Sequence, residues 1–508
     1  MYSKHYTVIL AIAATTSAFS QSGTLDGDFS ADGMQYTLVG EYSAKGIDVA
    51  LTPENYIVVV GEGYNSPSDN GIALAKYVPD GELDMSFGTG GKVLLEIGTG
   101  YDRCNGMLIL PDGKIVIAGS TQSAGQPTSL LLARFMPDGS LDTDFDTDGM
   151  AMLTIDGISV EAYGMALQSD GKLVAVGSHF NGGDGALLVT RFNADGTLDA
   201  EYGTDGYALI DFGNNGRGVA VDAAGNAVVV GQTFSAGQQQ LLARFSPEGV
   251  LDVTFDSDGY VIGTSTGGSA NTVLVNEERI YVGGSIGTDL SVSAYNADGT
   301  ADGTWGVAGV ATLAATDLST EAYGMAWQAD GKLVVCGKAL GDNSDMLLGR
   351  FTADGTPDAT FGTDGMVINT EASPTGGSFG YGVAVQPDYR IVVAGQAFEN
   401  SSNNIFVARY LSGINVGVAE FTANTGLLLY PNPVAEQATF TYELRTAERL
   451  TCTLVDAQGR TVSTVFANGE RAAGKHTVPV DMRGLAEGPY TILLSNATGS
   501  TALRVVKH

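Results

Sequence analysis

Asp144, Asp146 and Asp148, followed by Gly149, have the alternate spacing with which an oxygen-rich loop begins to wrap calcium. The residue that should close such a loop as a bidentate Glu is Ile155, and other copies of the stretch read F-G-T-D-G or F-D-S-D-G. Turn-forming aspartates explain this with fewer assumptions. No cofactor is expected, and calcium is the single candidate to test. Nucleophile–base chemistry has little to draw on. Of four histidines, His5, His476 and His508 lie near the chain ends, which leaves His179 beside N-G-G-D-G. No G-x-S-x-G, H-E-x-x-H or P-loop occurs. The three cysteines, Cys104, Cys336 and Cys452, form no C-x-x-C and no disulfide framework, so buried free thiols are expected. A carboxylate pair could cleave a glycosidic bond, but sequence spacing does not single one out among 57 acidic residues. The remaining candidates are Tyr163, Arg217, Tyr323 and Tyr381. They occupy equivalent places in a repeated pattern and would suit a polar polymer or peptide, since such side chains supply much of the energy at recognition sites. The competing reading is that each Tyr merely covers a turn. Only two Trp are present, which weakens a lectin reading.

The pattern that must position these residues is R-F-M-P-D-G-S-L-D-T-D-F-D-T-D-G, Arg134 to Gly149. Related segments begin at Lys76, Arg191, Arg244 and Arg350, with a weaker copy at Ala294. A headless copy starts at Leu25. The landmark aspartates Asp26, Asp84, Asp142, Asp199, Asp252, Asp302 and Asp358 lie 50 to 58 residues apart, a period that means a solenoid, propeller or array. Each unit also carries apolar alternation, a D-G turn and an apolar run ending in Gly, as in Tyr163 to Gly177. Asp-Gly between such runs signals a hairpin. Short strands before each Arg-Phe and after each T-D-G bring the count to four strands per unit, the composition of a propeller blade.

The expected fold is therefore all-β: a seven-bladed β-propeller over residues 21–413, followed by a small immunoglobulin-like sandwich. The last unit stops at Gly413 without an L-D-x-x-F element, and Leu25 to Phe29 can supply it, so the N-terminal segment should close the ring. Residues shared by nearly every unit do the same job seven times and are read as scaffold. Functional residues should then come from positions that vary. One such position precedes the inner-strand glycine: Lys45, Asn105, Tyr163, Arg217, Ala270, Tyr323 and Tyr381, expected at one end of the ring near its channel. The glycine itself becomes Asn271 in the fifth unit, and Asn tolerates positive φ, so that position is expected to be left-handed. The fifth unit departs most, with Ala294 in place of the Arg.

These units, with R-F-x-x-D-G-x-L-D-x-x-F-G-x-D-G followed by G-x-A-x-Q-x-D-G-K-I-V-x-x-G, resemble the delta-60 repeats of secreted and surface bacterial β-propellers. The resemblance covers about residues 24 to 413 and implies a fold, not a chemistry. The formal charge of −32 argues against nucleic-acid and anionic-membrane partners. Residues 1–20 read as a signal peptide, with Lys4 ahead of a short apolar core and Ala18-Phe19-Ser20 for cleavage. No stretch reaches the length of a membrane span, so no membrane insertion is expected.

Residues 414–426 form a linker. Residues 427–508 hold eight basic and seven acidic residues, a break from the acidic chain before them. Alternating strands there suggest the small sandwich. Leu428 to Pro433 (L-L-Y-P-N-P), Leu454 to Arg460 (L-V-D-A-Q-G-R), Gly488 to Leu494 (G-P-Y-T-I-L-L) and the ending R-V-V-K-H resemble the type A C-terminal sorting domain of type IX secretion cargo. That resemblance implies a gram-negative bacterium, the type IX machinery as partner of residues 427–508, and a secreted or cell-surface location. The function expected is a binding or adhesion module for a surface polysaccharide or peptide. The alternative is a glycan- or peptide-cleaving hydrolase with carboxylates at the channel mouth.

Overall fold

The computed structural model describes residues 22–507 apart from 99, 183–184, 212–214, 235–236, 277–278, 374–375, 414–427, 431–433, 445–446, 457–460, 487 and 496–499. The expected signal peptide and linker lie outside the described residues. The chain divides into two compact units, 1–413 and 414–508.

In the first unit the described strands form seven four-stranded antiparallel sheets. Blade three is representative: Ser159–Leu167, Leu173–Phe180, Gly185–Phe192 and Tyr207–Ile210, each hydrogen-bonded to the next. The second and third strands are β-branched or Leu-rich and buried along most of their length, because both of their faces meet a neighbouring sheet. The first strands, from Ser43–Leu51 to Ser378–Val385, pack each against the next, and the last against the first. The sheets therefore stand in a closed ring as a β-propeller. Closure uses both ends of the unit: Met34–Thr37 pairs with Ser402–Tyr410, and Leu25 bridges Tyr410.

The repeated motif holds neighbouring blades together. In blade two Arg134 Nε donates to Asp142 Oδ2 (2.6 Å), and its guanidinium lies 4.6 Å from the Phe145 ring centroid. Its Nη1 donates to the Ala194 carbonyl in the next blade's turn (2.7 Å). The same cation–carboxylate–ring arrangement joins Arg191, Asp199 and Tyr202; Arg244, Asp252 and Phe255; Arg350, Asp358 and Phe361; and, across the closure, Arg409, Asp26 and Phe29. Lys76 takes the cation's place in blade one. Blade five, with Ala294, recruits Arg279 from the adjacent strand, its Nε 2.8 Å from Asp302 Oδ2 as a charge contact without hydrogen-bond alignment. Burial pushes the Asp358 carboxyl up, but the Thr360 hydroxyl, Lys332 and Arg350 outweigh it and hold the pKa at about 2.

Strand direction alternates within each blade, so the two ends of the ring differ. The D-G turns and the R-F…L-D…F segments open at one end. The loops from second to third strand, and from each blade to the next, open at the other. The invariant residues thus crowd one end, leaving the opposite end free to vary.

The second unit contains a three-stranded sheet (Leu428–Tyr430, Gln437–Leu444, Gly474–Asp481) and a four-stranded one (Thr461–Arg471, Glu448–Asp456, Gly488–Ser495, Ser500–Lys507). Phe440 and Val480 from the first share one core with Leu450, Leu454, Ile492 and Val505 from the second. All three cysteines are buried free thiols; burial raises the thiol pKa of each, that of Cys452 to about 11.

Candidate functional site

Every inner strand carries one extra residue relative to its partner, a β-bulge, falling in blade three between Ala162 and Gly164. The residues left unpaired are Ile47, Asn105, Tyr163, Arg217, Asn271, Tyr323 and Tyr381. All seven line one cavity on the ring axis, of about 200 Å³. The bulge turns these side chains off the sheet and into the channel. Tyr163, Arg217, Tyr323 and Tyr381 are thus brought together, as the repeat pattern places them.

Two positions differ from the sequence expectation. In blade one the channel residue is Ile47, while Lys45 lies two residues away and pairs with Glu62 (3.2 Å). In blade five it is Asn271, because Ala270 is wholly buried. The left-handed expectation is also overturned: neither Asn271 nor Gly106, Gly164, Gly218, Gly324 or Gly382 has positive φ. In blades four and six glycine is favoured there by close approach of the next inner strand, whereas Asp48 and Thr272 take the position in blades one and five. A Cβ on Gly324 would meet the Tyr381 carbonyl oxygen at 2.9 Å, and one on Gly218 the Asn271 carbonyl oxygen at 3.0 Å.

The side chains at the mouth form two clusters, one on each side of the ring. Arg217 lies 4.8 Å from the Tyr163 ring centroid, and Tyr163 Oη donates to Glu161 (2.8 Å). Arg103 from the preceding blade stands 3.9 Å from the same carboxylate. Across the ring Tyr323 packs 5.2 Å from Tyr381, which stacks on Phe379 at 5.7 Å and 9°. Tyr323 Oη donates to Glu321 (3.1 Å), which also receives Ser269 Oγ (2.6 Å), Asn271 Nδ2 (2.9 Å) and the Lys338 ammonium (3.0 Å). Burial pushes the Glu321 carboxyl up, but those hydrogen bonds and Lys338 outweigh it and leave its pKa below the usual value. Burial, then the charge of Glu161 or Glu321, raises Tyr163 and Tyr323. Both phenols therefore stay protonated and act as donors.

Sequence reasoning missed Asp48, which takes the place of the inner-strand glycine in blade one and lines the channel. Its Oδ2 accepts from Met107 N–H (3.0 Å) and its Oδ1 from Val49 N–H (2.8 Å). Burial pushes its carboxyl up to about 6, against those two hydrogen bonds. An Asp ionises near 3.8 when unfolded, so between these values the folded chain holds the extra proton. The stability that Asp48 contributes should then fall as pH rises from about 4 to about 6 and stay flat above. Asp48→Asn lacks this dependence. Its melting temperature relative to wild type is expected to be higher at pH 7.5 than at pH 4, by the equivalent of up to about 2 kcal/mol. Parallel melts of both proteins at the two pH values check this, and an unchanged difference overturns it.

The turn at Asp144–Gly149 does not gather its carboxylates. Asp148 Oδ1 accepts the Met150 N–H (3.0 Å), and the Asp146 N–H donates to the Asp195 carbonyl (2.7 Å). Among the described residues, no group of three or more His, Cys, Asp or Glu is placed to hold a metal ion. Among the same residues, no helix is long and apolar enough to cross a membrane.

Comparison with known proteins follows this division. Four stretches, residues 55–87, 110–145, 168–202 and 328–361, match the domain of unknown function (DUF5122) beta-propeller. Residues 428–508 match a secretion system C-terminal sorting domain. No curated protein matches the chain. Similar solved structures are distant. One, from a structural and mechanistic study of two prolyl endopeptidases, is 11% identical with a TM-score of 0.38 over 80% of this chain and 56% of that one. This chain thus spans little more than half the length of that structure. A protein of unknown function from Bacteroides thetaiotaomicron is 11% identical (TM-score 0.30, 74% and 99% covered). A glycoside hydrolase family 32 protein from Bifidobacterium adolescentis is 10% identical (TM-score 0.24, 93% and 95% covered). The chain carries DUF5122 beta-propeller repeats and, after them, a type IX secretion sorting domain that implies export to the cell surface or the extracellular space.

Proposed function

We propose that this is an exported binding or adhesion module of a gram-negative bacterium, whose propeller captures a surface polysaccharide or peptide at its variable end. Residues 1–20 act in this reading as the signal peptide, and residues 427–508 engage the type IX machinery. One observation carries the reading: bulges in six of the seven blades project tyrosines, an arginine and amides into one mouth, with Ile47 from the seventh, while the repeated motif packs the opposite end. The channel, at about 200 Å³, is smaller than the roughly 300–1,000 Å³ of ordinary ligand pockets, so a polymer lies across the mouth and does not thread it.

Capture fits better than hydrolysis. A glycosidase needs one carboxyl that holds a proton beside one that does not. Glu161 and Glu321 each face a cation and accept a tyrosine hydroxyl, and at Glu321 the hydrogen bonds and Lys338 favour the ionised form, so neither is placed as a proton-holding acid. Asp48 has the raised pKa, but backbone N–H groups occupy both of its oxygens.

The test is glycan-array and peptide-library binding by the wild-type chain and by Tyr323→Ala/Tyr381→Ala. A ligand bound at least tenfold more weakly by the double variant supports the reading, and silence on both arrays sinks it. Separately, deleting residues 428–508 should trap the protein inside the outer membrane. Undiminished appearance in the medium or on the surface would rule out the sorting role.

A further inference from the structure

Beside the channel mouth, a groove of about 420 Å³ runs between blades three and four at the variable end. Phe180 and Phe234 line it while remaining 51% and 49% exposed. Its polar lining includes Glu161, Ser178 and Asn215, with Tyr163 shared between groove and channel. What sets these two rings apart is that they line one groove together, leaving two apolar faces in water that a single ligand could cover. Unlike the channel, the groove has the volume of a small-ligand site.

We infer that this groove is a subsite for a neutral sugar unit of the captured ligand; the inference rests on the binding reading above and names its substrate class. Charge and polarity select the occupant. An anion would meet Glu161 on a chain of net charge −32. A cation would find that carboxylate already facing Arg103 at 3.9 Å and holding the Tyr163 hydroxyl, with Arg217 on the Tyr163 ring. A wholly apolar ligand would strip water from Glu161 without replacing its hydrogen bonds. A pyranose ring avoids all three penalties. Its C–H faces cover phenylalanine rings, and its hydroxyls donate to Glu161 and exchange hydrogen bonds with Ser178 and Asn215. Phe180 and Phe234 here supply the flat faces that the two tryptophans do not, Trp305 being wholly buried.

The experiment uses the full exported chain with neutral oligosaccharides of glucose, galactose and mannose, and a lysine-rich peptide as the cationic probe. Expected is binding of at least one neutral oligosaccharide, weakened at least tenfold by Phe180→Ala and by Phe234→Ala and changed less than twofold between 50 and 500 mM NaCl. Met85→Ala, at the motif end, serves as the folded control. Sugar binding that depends on Tyr323 and Tyr381 but on neither phenylalanine overturns the groove and leaves the binding reading standing. Salt-sensitive capture of the lysine peptide, lost in the phenylalanine variants, replaces the sugar with a cation. Failure of every oligosaccharide overturns the inference, and silence of the peptide library as well overturns the wider reading.

Discussion

Asp26→Asn should lower the melting temperature further than the same change at Asp302. Asp26 Oδ2 lies 2.7 Å from Arg409 Nε and 2.7 Å from Arg390 Nε. The Arg409 side chain is 5% exposed. Removing the anion leaves this buried guanidinium without its charge partner, a loss of about 3–5 kcal/mol. The damage also falls where the ring is sewn shut. The Asp26 N–H donates to the Arg409 carbonyl (2.8 Å), and the four residue pairs from Met34 to Thr37 follow on the same strand. Asp302 instead faces Arg279, whose side chain is 37% exposed and can turn to water. Its loss should cost about 1 kcal/mol or less. Calorimetric melts of the two variants decide the matter. Equal depressions would mean that the landmark aspartates act through turn geometry alone, each capping the N–H two residues on, as Asp302 does for Thr304 (3.0 Å).

Much of the scaffold was legible because a repeat inside one chain reports which residues recur. Arg134, Asp142 and Phe145 were readable as structural from recurrence alone; that they form one cation–carboxylate–ring staple required coordinates. Leu25 to Phe29 was readable as the missing element of the last unit, and it is the segment that pairs Asp26 with Arg409. Register was harder. Aligning units on the glycine sets Gly46 beside Gly106, but the bulge sets Asp48 there, since Val49 and Met107 are the equivalent apolar residues. Anchoring on that apolar residue would also have exchanged Ala270 for Asn271. The groove was not legible, because Phe180 ends one strand and Phe234 stands just past the end of another, and only packing of blade three against blade four makes them neighbours of one cavity.

Gly177→Ala should be a substitution from which the fold recovers poorly. A Cβ at Gly177 would stand 1.7 Å from the Glu161 carbonyl oxygen. The corresponding distances are 2.0 Å at Gly61, 1.8 Å at Gly119 and 1.8 Å at Gly337, so one contact recurs around the ring. None of these glycines has positive φ. The bulge that turns Tyr163 into the channel also folds the Glu161 carbonyl over the facing strand, and only a residue without a side chain fits beneath it. An alanine must either push the paired buried strands apart or flatten the bulge, and flattening shifts the register so that following side chains change faces. Either outcome should exceed about 4 kcal/mol. Gly171→Ala provides the contrast. That glycine has φ +86 in a surface turn, with Ala194 Cβ at 3.5 Å as its nearest neighbour, so its cost is the left-handed penalty of about 1–2 kcal/mol. Thermal melts should rank the two accordingly, and a Gly177→Ala protein melting with Gly171→Ala would refute the steric account. Where the alanine is accommodated by flattening the bulge, Tyr163 should leave the mouth and ligand capture should fall with it. The same glycine then governs both the stability of blade three and the presentation of its binding side chain.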